Sequence, residues 1–296
     1  MTRWALWAAA AVGVQVGATI VATRVVVDQL GPATLAALRY AIGLASLLPL
    51  VWHAARRDAA AGTSTLRIRA NELPRILLLG IGQFGLLIAL LNIGLKSVPA
   101  AKGALLFSAF PLLTLIVATL LGHERLGWRQ SLGVGLTLAA VALALGPQAW
   151  QAHGSMAGEL AILGSALCGA VCSVLYRPVL QRHAALPVSA IAMAAAVVVL
   201  GLYAPFEDAA GRLPKVDARG WAAIFFIGTS SGIGYFLWLW ALRHAAASRV
   251  TLFLSLSPLT AMALGVLLLG EPLQKSLVVA LSLVVAGLWV AQDRGR

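Results

Sequence analysis

In a chain of 296 residues that is 60% hydrophobic and 11% charged, polar side chains set inside long apolar runs are the groups that could do chemistry. Gln15, Thr19, Gln83, Asn92, Ser108, Ser255 and Ser257 lie in such runs, together with Phe107, Tyr235 and Trp238. Amides, hydroxyls and an indole N–H can recognise the polar ends of a small solute while aromatic rings hold its apolar body. The same groups also act as glue between membrane helices, each finding its partner on a neighbour. Arg39 adds a cation inside one run, and no run carries Asp, Glu or Lys at its centre. Such an arginine either extends toward the membrane surface or attracts an anionic group such as a substrate carboxylate. Proton-driven carriers usually keep an ionisable relay in the membrane. The pattern therefore points to a carrier without an obvious one.

Other constellations lead away from enzyme chemistry. Gly80 to Gly85 has the form of a dinucleotide fingerprint, but that motif needs a strand before it and a helix opening at it. Here the glycines lie inside an apolar run, where they permit close helix contact, as do Gly13 to Gly17 and Gly228 to Gly232. Cys168 and Cys172 would share a helix face and could be a redox pair, metal ligands or small packing residues. His53, His123, His153, His183 and His244 are scattered without ligand spacing. No enzyme activity, cofactor or metal is expected.

The elements that must position these residues follow from composition. A mean hydropathy of +0.91 describes a membrane protein. The net charge of +12 is carried mostly between apolar runs, as topology signals rather than a nucleic-acid surface. Ten runs are long enough to span a bilayer as helices: 4–23, 33–52, 73–95, 103–122, 129–146, 158–176, 188–204, 220–242, 250–269 and 276–292. Residues 53–72, 147–157 and 205–219 are the connections long enough to be substantial loops. The first run has a basic start but no clear cleavage site, and reads as a retained span. With the amino end inside, the inner segments hold 14 Lys and Arg and the outer ones 7, so both termini are expected in the cytoplasm. Trp4, Trp7, Trp52, Trp128, Trp150, Trp221 and Trp289 fall at span ends as an interfacial belt, whereas Trp238 and Trp240 lie deeper.

A segment around residues 101–126 recurs at an offset of 147 residues: Lys102 matches Arg249, Ser108 matches Ser255, Pro111 matches Pro258 and Glu124 matches Glu271. Halves at 1–150 and 151–296 would each hold five spans, an odd number, so the second must enter the membrane inverted. Pro111 and Pro258 bend the fourth and ninth spans, either for packing alone or as hinges of a rocking transporter. Glu124 and Glu271 each follow a bent span, either as helix-end carboxylates or as gate contacts to a basic residue.

The ten spans, PLLTLIVATLLGHERL at 111–126, its partner PLTAMALGVLLLGEPL at 258–273 and AALRY at 36–40 resemble the EamA family of the drug/metabolite transporter superfamily. Within it, the chain is similar to aromatic amino-acid exporters of the YddG type. That resemblance implies an all-α membrane fold of two inverted five-helix repeats around a cavity built by spans one, three, four, six, eight and nine. Pro111, Glu124, Pro258 and Glu271 match its motif, and His123 departs from it where the second half has Gly270. The expected protein is a monomeric carrier in a bacterial inner membrane. It would export neutral or aromatic amino acids, or similar amphipathic metabolites, by alternating access. Its rivals are a multidrug or quaternary-cation exporter and a non-transporting membrane interaction protein.

Overall fold

The computed structural model describes residues 3–61, 66–123, 127–145, 156–270 and 275–291, and every regular element among them is helical. In chain order they are α1 (Arg3–Val26), α2 (Pro32–Ala61), a 3-10 turn (Ala70–Glu72), α3 (Leu73–Gly80), a π-turn (Ile81–Leu86), α4 (Leu87–Leu95), α5 (Ala100–Phe107), α6 (Phe110–Leu120), α7 (Trp128–Leu145), α8 (Met156–Arg182), α9 (Ala185–Tyr203), a 3-10 turn (Ala204–Glu207), α10 (Ala209–Arg212), a 3-10 turn (Leu213–Lys215), α11 (Ala218–His244), α12 (Ala247–Thr251), a 3-10 segment (Leu252–Ser255), α13 (Leu256–Leu269) and α14 (Lys275–Ala291). Seven helical stretches among the described residues are long and apolar enough to cross a membrane, and Leu256–Leu269 and Val278–Gly287 are shorter apolar helices.

Among the described residues helix covers most of each run expected from the sequence, and two helices continue well beyond the expected ends. The α2 helix continues to Ala61, beyond the expected end at Trp52, because residues 53–61 (HAARRDAAA) are mostly Ala and Arg and contain no breaker. The α8 helix likewise continues past Tyr176 to Arg182, through Pro178. Trp4, Trp7, Trp52, Trp128 and Trp289 are all exposed and Trp238 is buried, while Trp150 lies outside the described residues.

Around the interior, α1 packs on α11 and α13, α2 packs on α9 and α11, and α4 packs on α8; α7 and α14 pair with each other to one side. The segment at 205–219, expected as a loop, folds into short helical turns that fix the helices beside it. From it the Glu207 carboxylate accepts from Ala33 N at 3.1 Å, Thr34 N at 2.8 Å and Thr34 Oγ1 at 2.9 Å. This satisfies amides that the first turn of α2 leaves open and places a negative charge at the positive end of its dipole. Asn92 ties the same helix end to α4, its Nδ2 donating to Pro32 O at 2.8 Å.

At the start of α11, Asp217 accepts from Gly220 N at 2.6 Å and from Gln29 Nε2 at 3.2 Å. The Gly220 amide first, then Gln29, hold the Asp217 carboxyl below the usual carboxylate range. A depressed pKa stabilises the fold above the unfolded value of about 3.9 and stops doing so as pH falls through the folded value. Asp217→Ala should therefore lower the melting temperature near neutral pH, and the deficit should vanish in acid; a deficit that stays constant down to pH about 2 would exclude this origin.

Candidate solute cavity

The interior cavity is lined by Val12, Val16, Thr19 and Ile20 of α1, Arg39 of α2, Gln83 of the π-turn, and Leu87, Ile88 and Leu91 of α4. Phe107, Phe110, Tyr235, Trp238 and Leu254 complete it. Its volume is about 30 Å³, room for roughly two waters, whereas pockets that hold organic ligands reach ~300 Å³ and more. A solute the size of an amino acid enters only if helices part.

Three departures from the α-helix build this lining. In the third span, Gly80, Gly82 and Gly85 accompany a π-turn in which Leu87 N–H reaches back five residues to Gly82 O. Gly80 also lets α3 lie against the backbone of α9 at Ala192. The wide turn carries Gln83 into the lining and buries the Phe84 ring. The fourth span breaks between α5 and α6 at Ser108 and Ala109, with Phe107 and Phe110 on either side. Between α12 and α13 the run expected as the ninth span loosens into the 3-10 segment that holds Leu254. Pro111 and Pro258 lie in the first turn after each irregularity, where a missing N–H costs no helical bond, so the expected bends are interruptions of the helix rather than kinks within it.

The aromatic residues form connected walls. Phe107 lies 5.4 Å from Phe110, and Phe110 meets Trp238 edge to face at 6.0 Å. Tyr235 meets Phe84 edge to face at 4.7 Å, and Phe84 meets Tyr40 at 5.2 Å. Behind them α8 contributes no lining residue, contrary to the basket implied for the sixth span. Its Gly169 instead leaves space for the Phe110 ring.

Arg39 does not extend to the surface. It is 4% exposed, with Nε donating to Ser231 Oγ at 2.8 Å and Nη2 to Thr19 Oγ1 at 3.5 Å, and no carboxylate among the described residues pairs with it. Gln83 Oε1 and Trp238 Nε1 are buried without hydrogen-bond partners.

Thr19, Arg39, Gln83, Phe107, Tyr235 and Trp238 thus come together, whereas Gln15, Asn92, Ser108 and Ser257 lie outside the lining. Gln15 Nε2 donates to Ser230 Oγ at 3.4 Å, between α1 and α11. Asn92 serves Pro32, and the buried Ser108 hydroxyl donates to Leu105 O in its own helix. Ser257 is buried with its hydroxyl unpartnered but is not part of the lining. Nothing is described of the Ser255 side chain, and Glu124 and Glu271 lie outside the described residues.

Sequence reasoning missed two features of this region. One is the π-turn, whose signal was three glycines interleaved with a glutamine. The other is a pair of ion pairs at opposite ends of α8, a helix of 27 residues or about 40 Å. Lys102 Nζ meets Glu159 Oε1 at 2.5 Å near its start, and Glu72 meets Arg182 at its end. Each α8 charge opposes the dipole at its own terminus. Each pair also joins α8 to an element of the first half.

The α1 helix reaches the 3-10 segment and α13 at glycines: a side chain on Gly13 would collide with Phe253 O, and one on Gly17 with Ser257 O. Gly13→Val should push α1 off the 3-10 segment at a cost of about 1–3 kcal/mol, seen as a lower melting temperature. Gly201→Val, which meets open space, is the control; equal losses from both would rule out the close approach as the cause.

Comparison with known proteins gives this architecture a context. The profile of the EamA-like transporter family matches residues 2–146 and again residues 156–291. The chain is 26% identical over 93% of its length, and 89% of the relative's, to the uncharacterized transporter YyaM of Bacillus subtilis. It is 28% identical over 98% of its length, and 94% of the relative's, to a probable terminal-alkyne amino-acid exporter of Streptantibioticus cattleyicolor. A probable amino-acid metabolite efflux pump of Salmonella typhimurium is 24% identical, covering 84% of this chain and 87% of that one. A chain solved by crystallography shares the fold at a TM-score of 0.69 and 23% identity, with 96% of each chain covered. Because the profile matches twice, and the two matches together account for nearly every residue, this chain belongs to the EamA-like transporter family.

Proposed function

We propose that this chain exports an amino acid, neutral or aromatic, or a related small amphipathic metabolite across a bacterial inner membrane by alternating access. The observation that carries this reading is Arg39, a buried cation with no carboxylate partner among the described residues, in a cavity bordered by broken helices. Holding an uncompensated charge away from water is costly, and such a residue marks a ligand or ion path by default. Arg39 would meet the anionic end of the solute, Thr19, Gln83, Tyr235 and Trp238 its polar groups, and Phe107 and Phe110 its body. Two relatives carry names of amino-acid export or amino-acid metabolite efflux, which supports the substrate class. An exporter of quaternary cations is disfavoured, because the lining holds a cation and no carboxylate.

In this reading residues 1–150 and 151–296 are two five-helix repeats, ten spans in all, related by a pseudo-twofold axis in the membrane plane. The chain works as a monomer with both termini in the cytoplasm. Pro111 and Pro258 are the hinges, and Glu124 and Glu271 belong to the gates. The pairs Lys102–Glu159 and Glu72–Arg182 are latches on the outer and inner sides, both closed in this contracted form.

Purified protein in liposomes should move an amphipathic amino acid or amino-acid derivative above empty controls, and Arg39→Ala should reduce that flux at least tenfold. No flux of any such solute would sink the proposal. With Tyr235→Cys as reporter, Lys102→Gln should raise thiol labelling from the outer face and Arg182→Gln from the inner face. Unchanged labelling from both faces would argue for a packed, non-transporting protein.

A further inference from the structure

Resting on the transport reading above, we infer that the preferred solute is a monoanion. It carries one carboxylate, an apolar body and no free ammonium, and an N-acylated amino acid fits it best. The first ground is the charge count. Among the described residues Arg39 is the buried Lys or Arg without a carboxylate partner, whereas Lys102 is paired with Glu159. The lining contains no Asp or Glu. A carboxylate bound at Arg39 makes the closed site neutral. A zwitterion leaves it with a net positive charge, and its ammonium must be desolvated in a site that holds no anion.

The second ground is the inventory of hydrogen-bonding groups. An ammonium brings three donors. Among the buried polar atoms of the lining, Gln83 Oε1 is the acceptor without a partner, and Trp238 Nε1–H is the donor without one. The Thr19 hydroxyl already donates to Val16 O, at 2.9 Å. A buried unpartnered acceptor and a buried unpartnered donor can serve the N–H and C=O of a secondary amide, whereas a single such acceptor falls short of an ammonium's three donors. The surrounding Leu87, Ile88, Leu91, Phe107 and Phe110 suit an aromatic or branched body. A carboxylate paired with Arg39 also leaves the closed site without net charge, which offsets the electrostatic cost of burying that arginine.

Binding to the purified protein, read by thermal shift and by calorimetry, tests this with four probes of one size class: N-acetylphenylalanine, 3-phenylpropionate, phenylalanine and phenylalaninamide. The two monoanions should bind at least tenfold more tightly than phenylalanine, and the cationic phenylalaninamide should give no stabilisation. N-acetylleucine should likewise exceed leucine. Gln83→Leu and Trp238→Phe should weaken N-acetylphenylalanine several-fold while leaving 3-phenylpropionate unchanged. Arg39→Gln should erase the preference for anions and Arg39→Lys retain part of it; the wild-type ordering stands as the test if either variant fails to fold. Phenylalanine binding as tightly as its N-acetyl derivative overturns the assignment and leaves the transport reading intact, as does stabilisation by none of the four if amino acids are still moved in liposomes. Selective binding of the monoanions upholds the assignment, and failure of liposomes to move them would then count against transport alone.

Discussion

The constraint on which the rest depends is that a membrane interior offers no water to an unpaired backbone group. Irregular backbone survives there only where it is buried in protein or lines a cavity. The π-turn at Ile81–Leu86, the break after Phe107 and the 3-10 segment at Leu252–Ser255 obey it together. Each supplies at least one lining residue: Gln83, the pair Phe107 and Phe110, and Leu254. The surrounding protein helps to keep the freed groups satisfied. Cys168 Sγ donates to Gly82 O at 3.4 Å, which gives the two cysteines a place in packing against the π-turn, and Ser108 N is shared between Ala104 O and Leu105 O. A cavity and a set of helix breaks are thus one feature, because neither is affordable in lipid without the other.

Electrostatics divides the molecule along the same line. Glu207 is spent on the first turn of α2, Glu159 on Lys102 and Glu72 on Arg182. Arg39 is left in the interior with Ser231 and Thr19, two neutral hydroxyls that solvate it without cancelling its charge. Placement of carboxylates at helix ends is therefore what makes the central cation available.

Much of this was legible in the sequence. Apolar length located the helices, and lack of partners in its own run singled out Arg39. Gln83, Tyr235 and Trp238 stood out as polar or amphipathic groups deep in spans. Asn92 and Ser108 looked alike on those terms, yet they serve Pro32 and Leu105, because hydropathy does not say which way a helix faces. The extension of α2 was hidden by the assumption that polar residues end a span, although Ala and Arg continue a helix into water. Repeat alignment also paired His123 with Gly270 as a departure from pattern. Both halves in fact end their helix with a left-handed glycine, Gly122 at φ 71° and Gly270 at φ 65°, shifted by one residue. Gly122 closes a Schellman turn in which His123 N donates to Ala118 O at 2.8 Å and Gly122 N to Thr119 O at 2.9 Å. A left-handed glycine at the helix end, not residue identity at a fixed offset, is what the two halves share there.

The cavity and the ion pairs are mechanically joined through α8, although α8 does not touch the lined space. Its middle carries Gly169 against Phe110 and backs Leu87, while its ends are held by Lys102 and Glu72. A solute that forces Phe110 or Leu87 outward must therefore press on a helix restrained at both termini. Packed interiors respond to such a push by switching contacts rather than by compressing, so the strain falls on whichever terminal pair is weaker. Glu159 is 3% exposed in its pair and Arg182 is 58% exposed in the other, so water competes for the second pair far more effectively. The Glu72–Arg182 pair is therefore the weaker of the two restraints on α8.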